Sequence, residues 1–250
     1  MNREAQDSLL LLVGAMVLQI GLTDLHLRYV KPAMQPLLIL TGLGLVAIGA
    51  LGVVRQVRGS AGAQVLEGDG NGGNGGEQAG GHEHHGQPRT AWLLVLPLLV
   101  MATVTPPTLG AYAAARGTTT VEQPEFRLPP LPAPTNGAID VTLTEYYSRV
   151  LYDPASLDGA TLRMTGFVTP VGAEWFVTRM RLSCCAADGR PVKVLTDGPA
   201  SRPAPPADTW VEVVGTVTAA RPPAGEDSPV AVLAVSSVRG APRPTNAYEE

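Results

Sequence analysis

The chain has 250 residues, a net charge of −4 at neutral pH and two cysteines. The negative charge falls in the second half, which excludes the basic surface that nucleic-acid binding requires. All four histidines lie in the first half, so no Ser-His-Asp or Cys-His arrangement can form within the second half alone. We therefore expect a protein that is not an enzyme and has no nucleic-acid partner.

Three long apolar runs dominate the first half of the sequence. They are residues 8–25, 36–54 and 91–109. Each approaches the roughly 20 residues that span a bilayer as a helix. Trp92 and Tyr112 stand near the two ends of the third run, as is typical of a membrane interface. The pattern predicts two transmembrane helices within residues 1–58 and a third over residues 91–112, with burial inside a soluble core as the alternative.

The segment between the second and third runs, residues 59–90, is about one third glycine and is typical of a flexible loop. It carries His82, His84 and His85 within a few residues of each other. Imidazoles at this density bind transition metal ions loosely, but a metal site in such a loop must also offset the entropy of ordering it. A weak metal site and a low-complexity tract without a defined site are both open.

Lysine and arginine counts near the ends of the runs predict the orientation in the membrane. A small excess places the N-terminus and the histidine-bearing loop inside, and the C-terminal half outside. Residues 113–137 are rich in proline and threonine and are typical of an extended stalk. We therefore expect a multi-pass protein of the cell membrane, in contact with lipid, whose C-terminal domain is extracytoplasmic.

Residues 138–240 have the pattern of a small β domain preceded by one helix. Residues 139–152 are helical in pattern, Asp140 or Thr142 can cap the helix, and Glu145 lies three residues after Thr142, as in a capping box. Five predicted strands follow, at residues 162–169, 175–183, 192–196, 209–219 and 230–238, and the first and fourth of them alternate. Two of them contain glycine, which favours a curved, partly open barrel of the OB type. The fold class is therefore mixed, with transmembrane helices followed by an all-β, OB-like domain, and residues 241–250 are predicted to be a loose tail.

The two cysteines, Cys184 and Cys185, are adjacent at the end of the second predicted strand, shortly before a turn at Asp188. Two thiols and a carboxylate at one corner are candidate ligands for zinc or another transition metal, although no cofactor is certain from the sequence. A strained vicinal disulfide, a redox pair and simple packing are the other readings of the cysteines.

Two arginines precede the cysteines on the same predicted strand. Arg179 and Arg181 share one face, and they would lower the thiol pKa values if they pointed toward the cysteines. Arg179 has a structural alternative, which is an ion pair with Asp188 or Glu174. We slightly favour that pairing.

Several strings together resemble one known family. They are Tyr29-Val30-Lys31-Pro32, Leu96-Pro97, Gly166-Phe167-Val168, Phe176-x-x-Arg179 and Cys184-Cys185-x-Ala187-Asp188. The chain is similar in these strings to the YcgQ-like family of permease subunits, whose soluble part is a domain of unknown function. Members are usually encoded beside a predicted multi-spanning permease, so the resemblance implies such a permease as partner. It implies no role for the motif positions Phe176 and Arg179.

These features together predict a non-catalytic accessory subunit of a two-component membrane permease, which handles a metal ion or another small solute. The first alternative is a membrane-tethered thiol redox or sensor protein that uses Cys184 and Cys185. The second alternative is a structural assembly module. An accessible thiol of low pKa would distinguish the redox protein from the transport subunit.

Overall fold

The computed structural model describes residues 3–63, 100, 107–122, 124, 127–223 and 230–249. They divide into two compact units. The first comprises Met1–His26 and Ala33–Pro106, and the second comprises Leu27–Pro32 and Pro107–Glu250. The predicted third transmembrane helix lies almost entirely outside the described residues, and so do His82, His84 and His85.

The first unit is built on two helices, α1 (Arg3–Leu22) and α2 (Gln35–Ala63). In the part of the chain that the structure describes, one helical segment, Pro32–Arg58, is long and apolar enough to cross a membrane. The apolar part of α1, Gln6–Leu22, is shorter. The first two predicted apolar runs are therefore helical, and one of them has the length of a span.

The two helices pack closely because glycine lies at their contact. A Cβ atom at Gly14 would stand 2.8 Å from Val46 Cγ2, and one at Gly42 would stand 2.8 Å from Leu18 Cγ. Small residues at such points let helix backbones approach, as they do between membrane helices. Near the far end of the hairpin, Gln56 Nε2 donates to Asp7 Oδ2 at 2.7 Å.

The second unit contains a seven-stranded mixed sheet. Its strands are β1 (Ile139–Asp140), β2 (Thr161–Val171), β3 (Glu174–Arg181), β4 (Arg190–Asp197), β5 (Trp210–Arg221), β6 (Val230–Gly240) and β7 (Tyr248–Glu249). The five long strands match the five predicted ones within a few residues at each end. Alternating burial is visible in the first part of β2 and of β5, whereas β3 and β4 are buried at every position except their two ends.

The pairings of the five long strands return to their starting strand. β2 pairs with β3 and β3 with β4 in antiparallel fashion, β4 pairs with β6 in parallel, and β6 with β5 and β5 with β2 are again antiparallel. Gly166 lies where strands approach closely, since a Cβ atom there would stand 2.6 Å from Thr178 O. Leucine, valine, tyrosine and tryptophan side chains fill the buried core.

The predicted helix over residues 139–152 is shorter in the structure. The helix α4 is Leu143–Tyr152, and Thr142 Oγ1 accepts the Glu145 N–H at 3.0 Å, as the capping pattern predicted. Residues Ile139–Asp140 instead form β1, which pairs in parallel with β2. Including them in the helix was wrong, because they precede the cap and their backbone bonds to the sheet.

Two segments expected to be extended or loose contain buried residues. A short helix of the second unit, α3 (Ala111–Arg116), buries Ala111 and Ala114, and Val121 belongs to the main core. At the other end, Tyr248 is 5% exposed and β7 pairs with β3. The prediction of a loose tail was wrong for Tyr248–Glu249, because these residues have long-range partners that a local pattern does not show.

Candidate functional site

The cysteine pair lies in the turn between β3 and β4, at the start of a short 3₁₀ helix, Ala186–Asp188. Asp188 organises this turn. Its Oδ1 accepts the Ser183 N–H at 2.8 Å, and its Oδ2 accepts the N–H groups of Cys184 at 2.7 Å and Cys185 at 3.3 Å. In return, the Cys185 side chain accepts the Asp188 N–H. Asp188 and Cys185 therefore form a capping box at the start of this 3₁₀ helix, and Asp188 also binds the Cys184 N–H.

The same fold places three candidate ligand atoms together. One ligand atom from each of Cys184, Cys185 and Asp188 lies within 4.8 Å of the other two. Cys184 is exposed, Cys185 is half-buried, and both thiols are free. The structure thus brings together the three residues predicted as metal ligands, at a strand-to-turn corner that solvent reaches.

The protonation of the corner differs from the sequence-based expectation. A hydrogen bond with Asp188, and then one with Cys185, raises the pKa of the Cys184 thiol to about 11. The hydrogen bond from Cys184, with those from the Ser183, Cys184 and Cys185 N–H groups, lowers the pKa of Asp188 to about 2. At neutral pH the carboxylate is therefore charged and the Cys184 thiol keeps its proton. Hydrogen bonds within the turn, and not Arg179 or Arg181, set the direction of this shift, so the condition for a lowered thiol pKa is not met for Cys184.

Arg179 has other partners. It is 8% exposed, and its Nη2 donates to the carbonyl oxygens of Asn246 and Tyr248, each at 3.1 Å. Burial lowers the pKa of Arg179, and the charge of Glu249 opposes this effect. Its structural role is therefore to hold the C-terminal strand. The predicted partners are engaged elsewhere, since Asp188 binds backbone N–H groups and Glu174 binds Arg221 at 2.6 Å.

Phe176, the other motif position, is also a packing residue. It is 2% exposed and forms a small cluster with Leu195 and Val232. Lys193 Nζ lies 5.3 Å from the centre of its ring, a cation–π contact. Phe176 and Arg179, which both lie on β3, thus support the neighbouring strands rather than the cysteine turn itself.

Sequence analysis missed the C-terminal residue that completes this region. Glu249 is 8% exposed, and its two carboxylate oxygens accept the N–H groups of Leu143 at 2.9 Å and Thr144 at 2.8 Å. The Thr144 hydroxyl donates to it at 2.7 Å. Glu249 therefore caps the start of α4 from the opposite end of the domain. No local pattern could reveal a cap so distant in sequence.

The metal-ligand chemistry of the corner is that of a borderline or soft ion. Zinc binds cysteine thiolates and carboxylates in tetrahedral sites, and three protein ligands leave its fourth position open. The negative carboxylate of Asp188 favours a cation in the place now taken by the Cys184 proton. The residues present therefore suit a zinc-class ion that remains accessible to a further ligand.

The described chain thus combines an apolar N-terminal helical unit with a C-terminal mixed-sheet domain that carries a Cys-Cys-Asp corner. Residues 133–249 match the family model of the DUF1980 C-terminal domain, a domain of unknown function. The match covers just under half of the chain and includes α4, all the long strands, the cysteine turn and Glu249. No curated protein and no solved structure matches the chain.

Proposed function

We propose that the protein is a membrane-bound, non-catalytic accessory subunit of a two-component permease, and that its C-terminal domain receives a zinc-class metal ion. One observation carries the proposal, which is the convergence of Cys184, Cys185 and Asp188 within 4.8 Å at an accessible corner. A site with three ligands holds an ion while leaving a position for exchange. This property suits a protein that passes an ion on.

The membrane part of the proposal is supported by the surface of α2. Six large apolar side chains along this helix are each more than half exposed, namely Leu37, Leu40, Leu43, Ile48, Leu51 and Val57. Such a continuous apolar surface is unfavourable in water and suits lipid. With the predicted span over residues 91–112, it favours a multi-pass protein of the cell membrane. The lysine and arginine distribution favours an extracytoplasmic C-terminal domain.

The closed set of strand pairings supports the OB-like part of the proposal. OB barrels have five strands in a Greek-key order, in which adjacent antiparallel pairs close on each other. The ring formed by β2, β3, β4, β6 and β5 has this number of strands. In this reading, the cysteine turn is the loop between the second and third of the five barrel strands.

The permease partner is supported by the match of residues 133–249 to the DUF1980 C-terminal domain, together with the resemblance to the YcgQ-like family. The raised pKa of Cys184 disfavours the redox alternative. A thiol that exchanges electrons at neutral pH acts as a thiolate and needs a lowered pKa. Asp188 has the opposite effect on this thiol.

Affinity purification from the native membrane tests the proposal. The tag belongs at the N-terminus, because Tyr248 and Glu249 are buried. We expect a multi-spanning permease among the co-purified proteins by mass spectrometry, and zinc or another transition metal in the same sample. A Cys184→Ser, Cys185→Ser variant purified in parallel should keep the permease and lose the metal. Equal metal in both samples, or no permease in either, would contradict the proposal.

A further inference from the structure

The cysteine corner is also the point where another segment of the chain is held. The short segment Leu27–Pro32, which joins α1 to α2 in sequence, belongs to the second unit. Val30 forms an antiparallel β-bridge with Cys185. The Lys31 N–H donates to Cys184 O at 3.2 Å, and the Ala186 N–H donates to Tyr29 O at 2.6 Å. The backbone groups that hold the segment thus come from the candidate ligand residues and their direct neighbour.

A further contact of this segment involves the C-terminal strand. The Tyr248 hydroxyl donates to Arg28 O at 3.0 Å, and it accepts the Leu109 N–H at 3.2 Å. Tyr248 is fixed by β7 and by the Arg179 contact to its carbonyl oxygen. One end of the segment is therefore attached to a buried, well-supported side chain, and the other end is attached to the exposed cysteine turn.

These two attachments differ in how firmly they are built. The cysteine turn has small side chains, lies at the surface and keeps its shape through the Asp188 carboxylate and through the Cys185 side chain, which accepts the Asp188 N–H. Exposed turns of this kind open with low free energy. The hold on Lys31 consequently depends on how rigid the backbone of Cys184 and Cys185 is.

We propose that metal binding at Cys184, Cys185 and Asp188 controls the attachment of the segment Leu27–Pro32 to the C-terminal domain. This inference rests on the proposed function of the corner as a metal site. An ion bonded to both sulfur atoms and to the carboxylate fixes the turn in one conformation. The Cys184 carbonyl and the Ala186 N–H are then held in place for the segment, whose two ends continue into the α1 and α2 helices.

Thermodynamic linkage makes this coupling reciprocal. If the ion strengthens the attachment of the segment, then the attached segment strengthens ion binding by the same factor. Couplings of this kind amount to roughly 5–150-fold in affinity. The coupling can therefore be tested by adding metal and observing the segment, or by altering the segment and measuring metal affinity.

The first test is hydrogen–deuterium exchange of the full chain in detergent, with Zn²⁺ as the probe and Mg²⁺ as the control cation. The informative amide is that of Lys31, because it is not part of the metal site. Zn²⁺ should slow exchange in the peptide that contains Lys31, and Mg²⁺ should not, since it prefers oxygen ligands. In the Cys184→Ser, Cys185→Ser variant, neither ion should change the exchange rate.

The second test removes the hydrogen bond from the side of the segment. Lys31→Pro deletes the N–H that donates to Cys184 O, and the extended residue Val30 tolerates a following proline. Lys31→Ala is the matched control, because it removes the charge and keeps the N–H. We expect Zn²⁺ to bind about tenfold more weakly to Lys31→Pro than to the wild type, and equally well to Lys31→Ala.

The outcomes separate this inference from the function on which it rests. If the wild type binds Zn²⁺ but the Lys31 amide exchanges at the same rate with and without it, the coupling is wrong and the metal site stands. Equal Zn²⁺ affinity of Lys31→Pro and Lys31→Ala would likewise show that the coupling is wrong and leave the metal site standing. If the wild type binds no Zn²⁺, the proposed function fails and the coupling fails with it. The exchange test on the wild type remains decisive even if Lys31→Pro does not fold.

Discussion

Asp188 and Glu249 use their carboxylates in the same way but in different surroundings. Each accepts hydrogen bonds from backbone N–H groups at the start of a helical turn. Glu249 is buried, and its charge lies close enough to Arg179 to oppose the effect of burial on the arginine pKa. Asp188 is half-exposed and its neighbours are two thiols. The Glu249 carboxylate is enclosed by the fold, whereas the Asp188 carboxylate is partly exposed beside the two cysteines.

This difference in burial predicts that Glu249 contributes mainly to the stability of the fold and Asp188 mainly to ligand binding. Removing a buried carboxylate leaves its hydrogen-bond donors and its charged neighbour unpaired, and this lowers the free energy of unfolding. An exposed carboxylate can exchange one of its partners for water or an ion at little cost. We therefore expect changes at the C-terminus to affect folding, and changes at the cysteine turn to affect ligand binding.

The largest expected effect is that of removing the C-terminal strand. Truncation after Thr245 deletes β7, the buried Tyr248 ring and the Glu249 cap. We expect it to reduce the free energy of unfolding by about 5 kcal/mol, as the sum of a lost aromatic core residue and a lost helix cap. Thermal unfolding followed by tryptophan fluorescence measures the change. Unaltered stability would mean that these residues are not part of the folded domain.

A smaller effect is expected when the Glu249 carboxylate alone is removed. Glu249→Ala leaves the buried N–H of Leu143 and the partly buried N–H of Thr144 without an acceptor and removes the charge near Arg179, at a cost of about 3 kcal/mol. Glu212→Ala is the matched control. This residue lies at the surface, 3.9 Å from Arg163, and its loss should cost less than about 1 kcal/mol. Similar losses for the two variants would show that Glu249 is not buried as described.

The smallest effect on stability is expected for Asp188→Asn, which should cost less than about 1 kcal/mol because solvent competes for the exposed turn. Its effect on the thiol should be clear, because Asp188 is the largest cause of the raised Cys184 pKa. We expect iodoacetamide to modify Cys184 several-fold faster at pH 8 in a Cys185→Ser, Asp188→Asn protein than in Cys185→Ser alone. Asp158→Asn, at an exposed site elsewhere, is the control and should leave the rate unchanged.

The sequence predicted the local parts of this architecture well. The Thr142 cap is a contact between neighbours in the chain, and the long strands extend over enough residues for alternation to be visible. The juxtaposition of Cys184, Cys185 and Asp188 was predictable for the same reason. All three lie in one turn, so no long-range folding is needed to bring them together.

The missed features all depend on residues far apart in sequence. Glu249 caps α4 from more than 100 residues away, and the Val30 bridge joins the start of the chain to the cysteine turn. A two-residue strand such as β7 is too short to show periodicity. The partners of Arg179 were also beyond a local pattern, because they belong to the C-terminal segment, and the raised pKa of Cys184 comes from Asp188 and Cys185 instead.

Calorimetric titration of the full chain with Zn²⁺ at pH 6, 7 and 8 is the decisive test of the claim that the cysteine turn binds metal. The Cys184 thiol, whose pKa is about 11, is protonated throughout this range and must release its proton on binding. Binding should therefore strengthen at least about tenfold for each pH unit, and the Cys184→Ser, Cys185→Ser variant should bind far more weakly at every pH. Equal Zn²⁺ affinity of the two proteins would contradict the claim.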